Sequence, residues 1–155
     1  MRSIADLTAA SPVFAGLPAH QLELIAGCGT NARFAAGDPL FRVGEQADRF
    51  FLIRQGAVAL ELAPPQDEPI TIGTLHDGEV VGWSWLFEPH RWVFDAHAVE
   101  DTAAIAFDGA CLRGKCDADH ELGYQLMRRF AAVLVDRLQA TRLQVLDVYG
   151  GPRVG

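Results

Sequence analysis

Apolar and polar positions alternate along this chain in two rhythms. In the first half, short apolar runs (Pro39-Leu40-Phe41, Phe50-Phe51-Leu52-Ile53, Val58-Ala59-Leu60-Glu61-Leu62 and Ile70-Thr71-Ile72) are punctuated by Gly37-Asp38, Gly44-Glu45, Gly56, Gly73 and Gly78. Short strands separated by glycine turns at this spacing predict an antiparallel sandwich or roll. Pro64-Pro65-Gln66-Asp67-Glu68-Pro69 reads as a polar hairpin tip, and Phe94 to Phe107 as closing strands that turn at Glu100-Asp101. The second rhythm is helical. Leu122, Leu126, Phe130, Val133, Leu134, Leu138, Thr141, Val145 and Val148 fall at steps of three and four, and Gly150-Gly151-Pro152 ends the pattern. That is a long amphipathic helix, with Asp117 or Asp119 to cap it near His120 and a short helix around Cys111-Leu112-Arg113 before it.

At the other end, Ser11-Pro12 is a start signal and Gly16-Leu17-Pro18 a breaker. Pro18 suits the first turn of a helix through Gln21 to Ala26, ending at Gly27 or Gly29. The organisation expected is one domain: a helical segment over 11–30, a roll over 31–108 and helices over 109–149. The apolar stripe of the last helix is longer than a roll alone covers. It either packs back along its own roll or forms a helix–helix seam, and the excess favours a homodimer through 120–149.

The stretch Gly78 to Trp92 interrupts the strands with an aromatic-rich turn. A short helix there exposes unpaired N–H groups at its start, a common way to hold a ligand. Gly37-Asp38-Pro39-Leu40-Phe41-Arg42-Val43-Gly44-Glu45, Phe51-Leu52-Ile53-Arg54-Gln55-Gly56-Ala57-Val58 and Leu75-His76-Asp77-Gly78-Glu79-Val80-Val81-Gly82 together resemble the cyclic-nucleotide-binding domain family, including the sensor half of catabolite-activator-type regulators. The likeness runs from about Val13 to Tyr149. It implies a mostly β fold with flanking helices: an antiparallel, jelly-roll-like β-roll whose long C-terminal helix covers the ligand pocket and dimerises. The glycines serve the roll's tight corners.

In that family a Glu that binds the ribose hydroxyl follows the equivalent of Gly82, then a small helix, then an Arg for the cyclic phosphate. Here Trp83 stands where the Glu would be, and Ser84-Trp85-Leu86-Phe87 matches the helical part. Counting back from Ala98, Trp92 takes the Arg place and Arg91 comes one residue early. A one-residue shift in a strand aims a side chain at the opposite face, unless Pro89 starts a loop that turns Arg91 inward. Losing the carboxylate removes an interaction worth about 1.5–3 kcal/mol. Asp95 adds a negative charge nearby, unfavourable to phosphate unless Arg91 or His97 neutralises it.

Two readings of Trp83, Trp85 and Trp92 stay open. They fill the pocket and make it core, or they line a slot for a flat, apolar or anionic ligand, with Arg91 and the N–H groups of Ser84 and Trp85 holding its acidic end. The candidate ligand site is therefore Gly82, Trp83, Ser84, Trp85, Leu86, Arg91, Trp92 and Asp95. His120 and Tyr124 form either a lid over it or a solvated first turn. Trp83-Ser84-Trp85-Leu86, Arg91-Trp92 and Phe94-Asp95-Ala96 look like a stand-alone bacterial branch of the family with oxidoreductase neighbours.

Composition narrows the function classes. With 13 basic against 20 acidic residues the formal charge is -7, which argues against a nucleic-acid surface. Only Gly150 to Gly155 follow the long helix, too few for the DNA-binding domain of catabolite-activator-type regulators, so output is expected through a separate effector. No signal peptide or membrane span is evident, and a cytoplasmic protein is expected. Cys28, Cys111 and Cys116 show no CxxC spacing. They read as buried inert thiols, with a Cys111–Cys116 redox pair as the sharper alternative and no disulfide framework expected. His20, His76, His90, His97 and His120 are scattered without HxH or HExxH, and no nucleophile elbow or Walker loop is present. A regulatory module rather than an enzyme is expected, without metal or cofactor. It is a sensor of a small ligand, a ligand-free dimeric interaction module, or a cyclic-nucleotide binder with a degenerate cassette.

Overall fold

The computed structural model describes residues 2–62 and 64–149, with side chains as far as residue 140. Among the described residues, eight strands form two antiparallel four-stranded sheets. The first sheet orders β1 (Gly29–Phe34), β8 (Thr102–Asp108), β3 (Arg49–Gln55) and β6 (Val80–Val81). The second orders β2 (Pro39–Phe41), β7 (Asp95–Ala98), β4 (Val58–Leu62) and β5 (Ile70–Leu75). Helices α1 (Ile4–Ala10) and α2 (Ala19–Ala26) precede the roll, and α3 (Gly109–Ala118) and α4 (His120–Tyr149) follow it. None of the described helices is long and apolar enough to cross a membrane.

Strands β3 and β8 explain why Phe50-Phe51-Leu52-Ile53 is an unbroken apolar run. Alternate side chains enter different cores, because successive residues of a strand point to opposite faces. Phe51, Ile53 and Ala104 face the roll interior with Val58, Leu60, Val81 and Trp92. Phe50, Leu52, Ile105 and Phe107 face outward, under Phe14, Ile25, Leu112, Leu122, Leu126 and Phe130 of the helical segments. Both faces of β3 are covered over Phe50-Phe51-Leu52-Ile53, so this run shows no apolar–polar alternation.

Three features differ from expectation. Helix α1 is additional, fixed by a capping box in which Ser3 Oγ accepts the Asp6 N–H (3.0 Å) and the Asp6 carboxylate accepts the Ser3 N–H (3.2 Å). Ser11-Pro12 begins a series of turns, not a helix. There Ser11 Oγ donates to the Gly78 carbonyl at 2.6 Å. Third, Cys28 and Cys111 are joined in a disulfide with a Cα–Cα separation of 5.8 Å, which replaces the expected inert thiols and the Cys111–Cys116 pair. Residues five apart on a helix lie about 140° apart around it, so Cys111 and Cys116 of α3 face different ways.

Along α4, Leu122, Leu126 and Phe130 are fully buried against the roll's outer face. A second stripe is exposed: Tyr124, Met127 and Val135. The expected stripe is thus two stripes, one of which meets its own roll. The side chains of Thr141, Val145 and Val148 lie outside the described residues.

Candidate functional site

Between β6 and β7 the chain makes the turn that the sequence singled out. Gly82 follows β6 with φ +99°, a left-handed conformation that favours glycine, and a Cβ there would come within 2.6–2.7 Å of the Trp92 ring. A single 3-10 turn over Ser84–Leu86 follows, closed by the Leu86 N–H on the Trp83 carbonyl (3.0 Å). From Arg91 to Ala98 exposure alternates strictly: Arg91 and Val93 are exposed, while Trp92, Phe94, Ala96 and Ala98 are buried. This is strand periodicity running into β7, and it decides the orientation of the two residues in question.

Trp92 points into the roll. It is 4% exposed and lies flat on Phe41, with ring centroids 3.7 Å apart and planes 6° from parallel. Arg91 points out. It bridges Gln46 across the adjacent loop and donates from Nη1 to the Gly44 carbonyl at 3.4 Å. Asp95 is half-buried and accepts the Val43 N–H at 2.7 Å, so that loop's backbone answers its carboxylate. His97 meets Glu61 instead, at 2.9 Å. Arg91, Asp95 and His97 are therefore each engaged with separate groups.

The other two tryptophans part company. Trp85 is fully buried outside the roll, stacked on Phe50 (4.9 Å) and edge-on to Phe130 (5.3 Å), and its indole N–H finds no hydrogen-bond partner. Arg113 of α3 donates to the Trp85 carbonyl, tying the turn to the C-terminal helices. Ser84 is buried with it, and Leu86 packs partly against the same core. Trp83 sits between the two cores, half-buried, edge-on to Phe94 at 5.2 Å.

Trp83 and Phe94 border a cavity of about 400 Å³ between the roll and α4. Leu60 of β4 and Ile72 of β5 form its roll side; Leu134, Leu138 and Ala140 form its helix side. Arg137 is the charged residue on the lining, and its Nη2 reaches Glu79 Oε2 at 3.3 Å, pinning the helix to the roll. Of the residues singled out from sequence, the structure brings Trp83 alone to this cavity. Gly82 and Trp92 lie beneath it in the roll core, Arg91 is on the outer surface, and Ser84 and Trp85 are in the helical core. His120 and Tyr124 lie ten or more residues before the lining part of α4; the Tyr124 ring carries the Arg128 guanidinium, 5.6 Å from its centroid. Leu134 and Leu138 were visible as part of the helical stripe, whereas no sequence signal marks Arg137. Among the described residues, no group of three His, Cys, Asp or Glu side chains is gathered for a metal.

The family model for the cyclic nucleotide-binding domain matches residues 32–119. The chain belongs to this family. A Geobacter metallireducens protein described as cyclic nucleotide-binding superposes with a TM-score of 0.78 at 28% identity, covering 89% of this chain and 99% of that one. The catabolite activator protein of Thermus thermophilus superposes with a TM-score of 0.71 at 25% identity, covering 87% and 62%. In sequence, Glutaminase 1 of Bradyrhizobium diazoefficiens is 27% identical over 88% of this chain and 22% of its own length. A CRP-like cAMP-activated global transcriptional regulator of Mycobacterium tuberculosis is 22% identical over 92% of this chain and 62% of its own length. The chain thus spans less than two thirds of either curated relative. The family's fold is the antiparallel roll with a C-terminal helix seen here, and its role is regulatory rather than enzymatic. Trp92 thus fills the roll interior, and Trp83 borders the cavity between the roll and α4.

Proposed function

We propose that this domain is a dimeric regulatory module whose cavity takes a flat, largely apolar ligand with one acidic group in place of a cyclic nucleotide. The observation that carries the reading is a buried indole, Trp92, beside an outward Arg91, where the family resemblance leads one to expect an inward arginine. A cyclic phosphate needs a cation at the roll end of the site, and there Trp92 stacks on Phe41 while Arg91 faces outward. The remaining space is walled by Trp83, Phe94, Leu60, Ile72 and Leu138, with Arg137 at the charged edge. A ligand carboxylate would share Arg137 with Glu79, and its ring would bury apolar surface.

Such a ligand touches the roll and α4 at once. It therefore favours whichever pose of the helix closes on it, and an effector that prefers that pose reads its presence. The exposed Tyr124, Met127, Ala131 and Val135 recur at steps of three and four, the spacing of a coiled-coil seam, and support a homodimer through α4. The matching segment makes up 22% of the relative named Glutaminase 1, which supports an enzyme as effector.

The test is quenching of tryptophan emission by 2-naphthoate. Saturable quenching is expected, weakened about tenfold or more by Ile72→Asp, since losing a buried aliphatic contact costs about 1.5–3 kcal/mol. Linear quenching, identical in the variant, would leave a closed, ligand-free interaction module.

A further inference from the structure

Cys28 and Cys111 lie on either side of a joint. Cys28 follows α2 and precedes β1; Cys111 sits in the first turn of α3, its N–H donated to the Asp108 carboxylate at 2.8 Å. The disulfide closes this joint across 83 residues of sequence. Two further ties cross it: the Asp108 N–H donates to the Cys28 carbonyl (2.9 Å), and Lys115 Nζ to the Leu24 carbonyl (2.7 Å). On its far side α3 packs on the Ser84–Leu86 turn, through buried Leu112 and through Arg113 on the Trp85 carbonyl. That turn begins at Trp83, a wall of the cavity.

We propose that Cys28 and Cys111 form a reversible thiol–disulfide site that sets the pose of α3 and, through Arg113 and Trp85, the Trp83 wall of the cavity. The effect on ligand rests on the function proposed above; the site itself does not. The bond is reached from the Cys111 side, because Cys111 is half-buried, whereas Cys28 lies buried at the floor of a cleft of about 220 Å³ beside Thr30, Asp48 and Arg49. The exchange partner is a dithiol. One of its thiolates attacks a sulfur of the pair, the other sulfur leaves as a thiolate and takes up a proton, and the donor's second thiol then closes the donor's own disulfide. Two electrons pass to the protein, and two cysteine thiols result. The surviving Asp108–Cys28 and Lys115–Leu24 bonds keep α3 docked, so reduction loosens the joint without unfolding the domain.

Cys116 is a poor alternative partner. Burial, aided by the carboxylates of Asp117 and Asp119, holds its thiol above the ordinary range, so at neutral pH it is a protonated and weak nucleophile.

The experiment compares hydrogen exchange of the full chain, purified without reductant, before and after treatment with dithiothreitol at pH 7.5, alongside thiol counting. One titratable thiol is expected before treatment and three after. The segments 84–86 and 109–118 should then exchange about fivefold faster, as for a local opening. Cys28→Ser should reproduce the fast exchange with or without dithiothreitol, and Cys116→Ser should behave as the parent protein. Three thiols at the outset, a bond that dithiothreitol leaves intact in the folded protein, or unchanged exchange at 84–86 would each overturn the proposal. These readouts need no ligand, so failure of the 2-naphthoate titration leaves them interpretable.

Discussion

Trp92→Ala is expected to destabilise the domain by about 3–5 kcal/mol, the range for truncating a buried tryptophan or phenylalanine to alanine. The cause is specific. Trp92 lies on Phe41 at stacking distance, and its ring covers Gly82 so closely that no Cβ would fit beneath it. Removing it strips contacts from Phe41, Gly82 and the interior of both sheets, and the tight turns flanking the cassette limit how far the roll can collapse into the void. Domains are stable by about 5–15 kcal/mol, so the loss is a large fraction of the total. Urea unfolding of parent and variant measures it, and in thermal unfolding it should appear as a fall of about 6–20 °C. A cost below about 1 kcal/mol would mean that Trp92 leaves the interior easily and that the phosphate end of the site can open. The variant is also expected not to gain cyclic-nucleotide binding, because the space it creates contains no cation.

Met127→Glu is expected to dissociate the proposed α4 dimer while leaving the protomer folded. Met127 is 46% exposed in the single chain and makes no part of either core, so the substitution costs the protomer little. In a two-fold seam the same position is buried twice. Each carboxylate then loses hydration worth about 1.5–3 kcal/mol without a charged partner, so the pair costs about 3–6 kcal/mol. At about 1.4 kcal/mol per decade, dimer affinity should fall roughly a hundred- to ten-thousandfold. Sedimentation equilibrium across a concentration series reads this directly. A parent protein that is monomeric at every concentration, or a variant that dimerises as before, would remove α4 as the seam.

Much of the fold was legible because its determinants are local. Gly37, Gly44, Gly56, Gly78 and Gly82 all have positive φ, and they appear in the sequence as the punctuation between strands. The opposed fates of Arg91 and Trp92 also follow from period-two alternation, which reaches back from β7 across the loop and outweighs any inward turn after Pro89. Where pairing depends on distant chain, the sequence is silent. Cys28 and Cys111 meet only because β1 pairs with β8 and brings the ends of α2 and α3 together. Trp83 and Trp85 look alike in sequence, yet a 3-10 turn separates them, sending Trp85 under Phe130 and leaving Trp83 beside Phe94. Arg137 reaches the cavity only through the path of α4 over β5, which no spacing on the helix announces. Helix α1 leaves little mark in the sequence although Ser3 and Asp6 stand at capping-box spacing, because seven residues give too short an apolar pattern.

Thermal unfolding of the pure protein against cyclic AMP, with 2-naphthoate in parallel, tests the closed cassette most directly. A cyclic nucleotide that binds the folded state must raise the midpoint with concentration, by about 2.7 kcal/mol of added stability at a hundred times its dissociation constant. With Trp92 seated over Gly82 and Arg91 turned outward, no shift is predicted up to millimolar cyclic AMP, whereas 2-naphthoate should raise the midpoint progressively. A saturable rise with cyclic AMP would contradict this, and would mean that the roll still binds a cyclic phosphate without an inward arginine at its cassette.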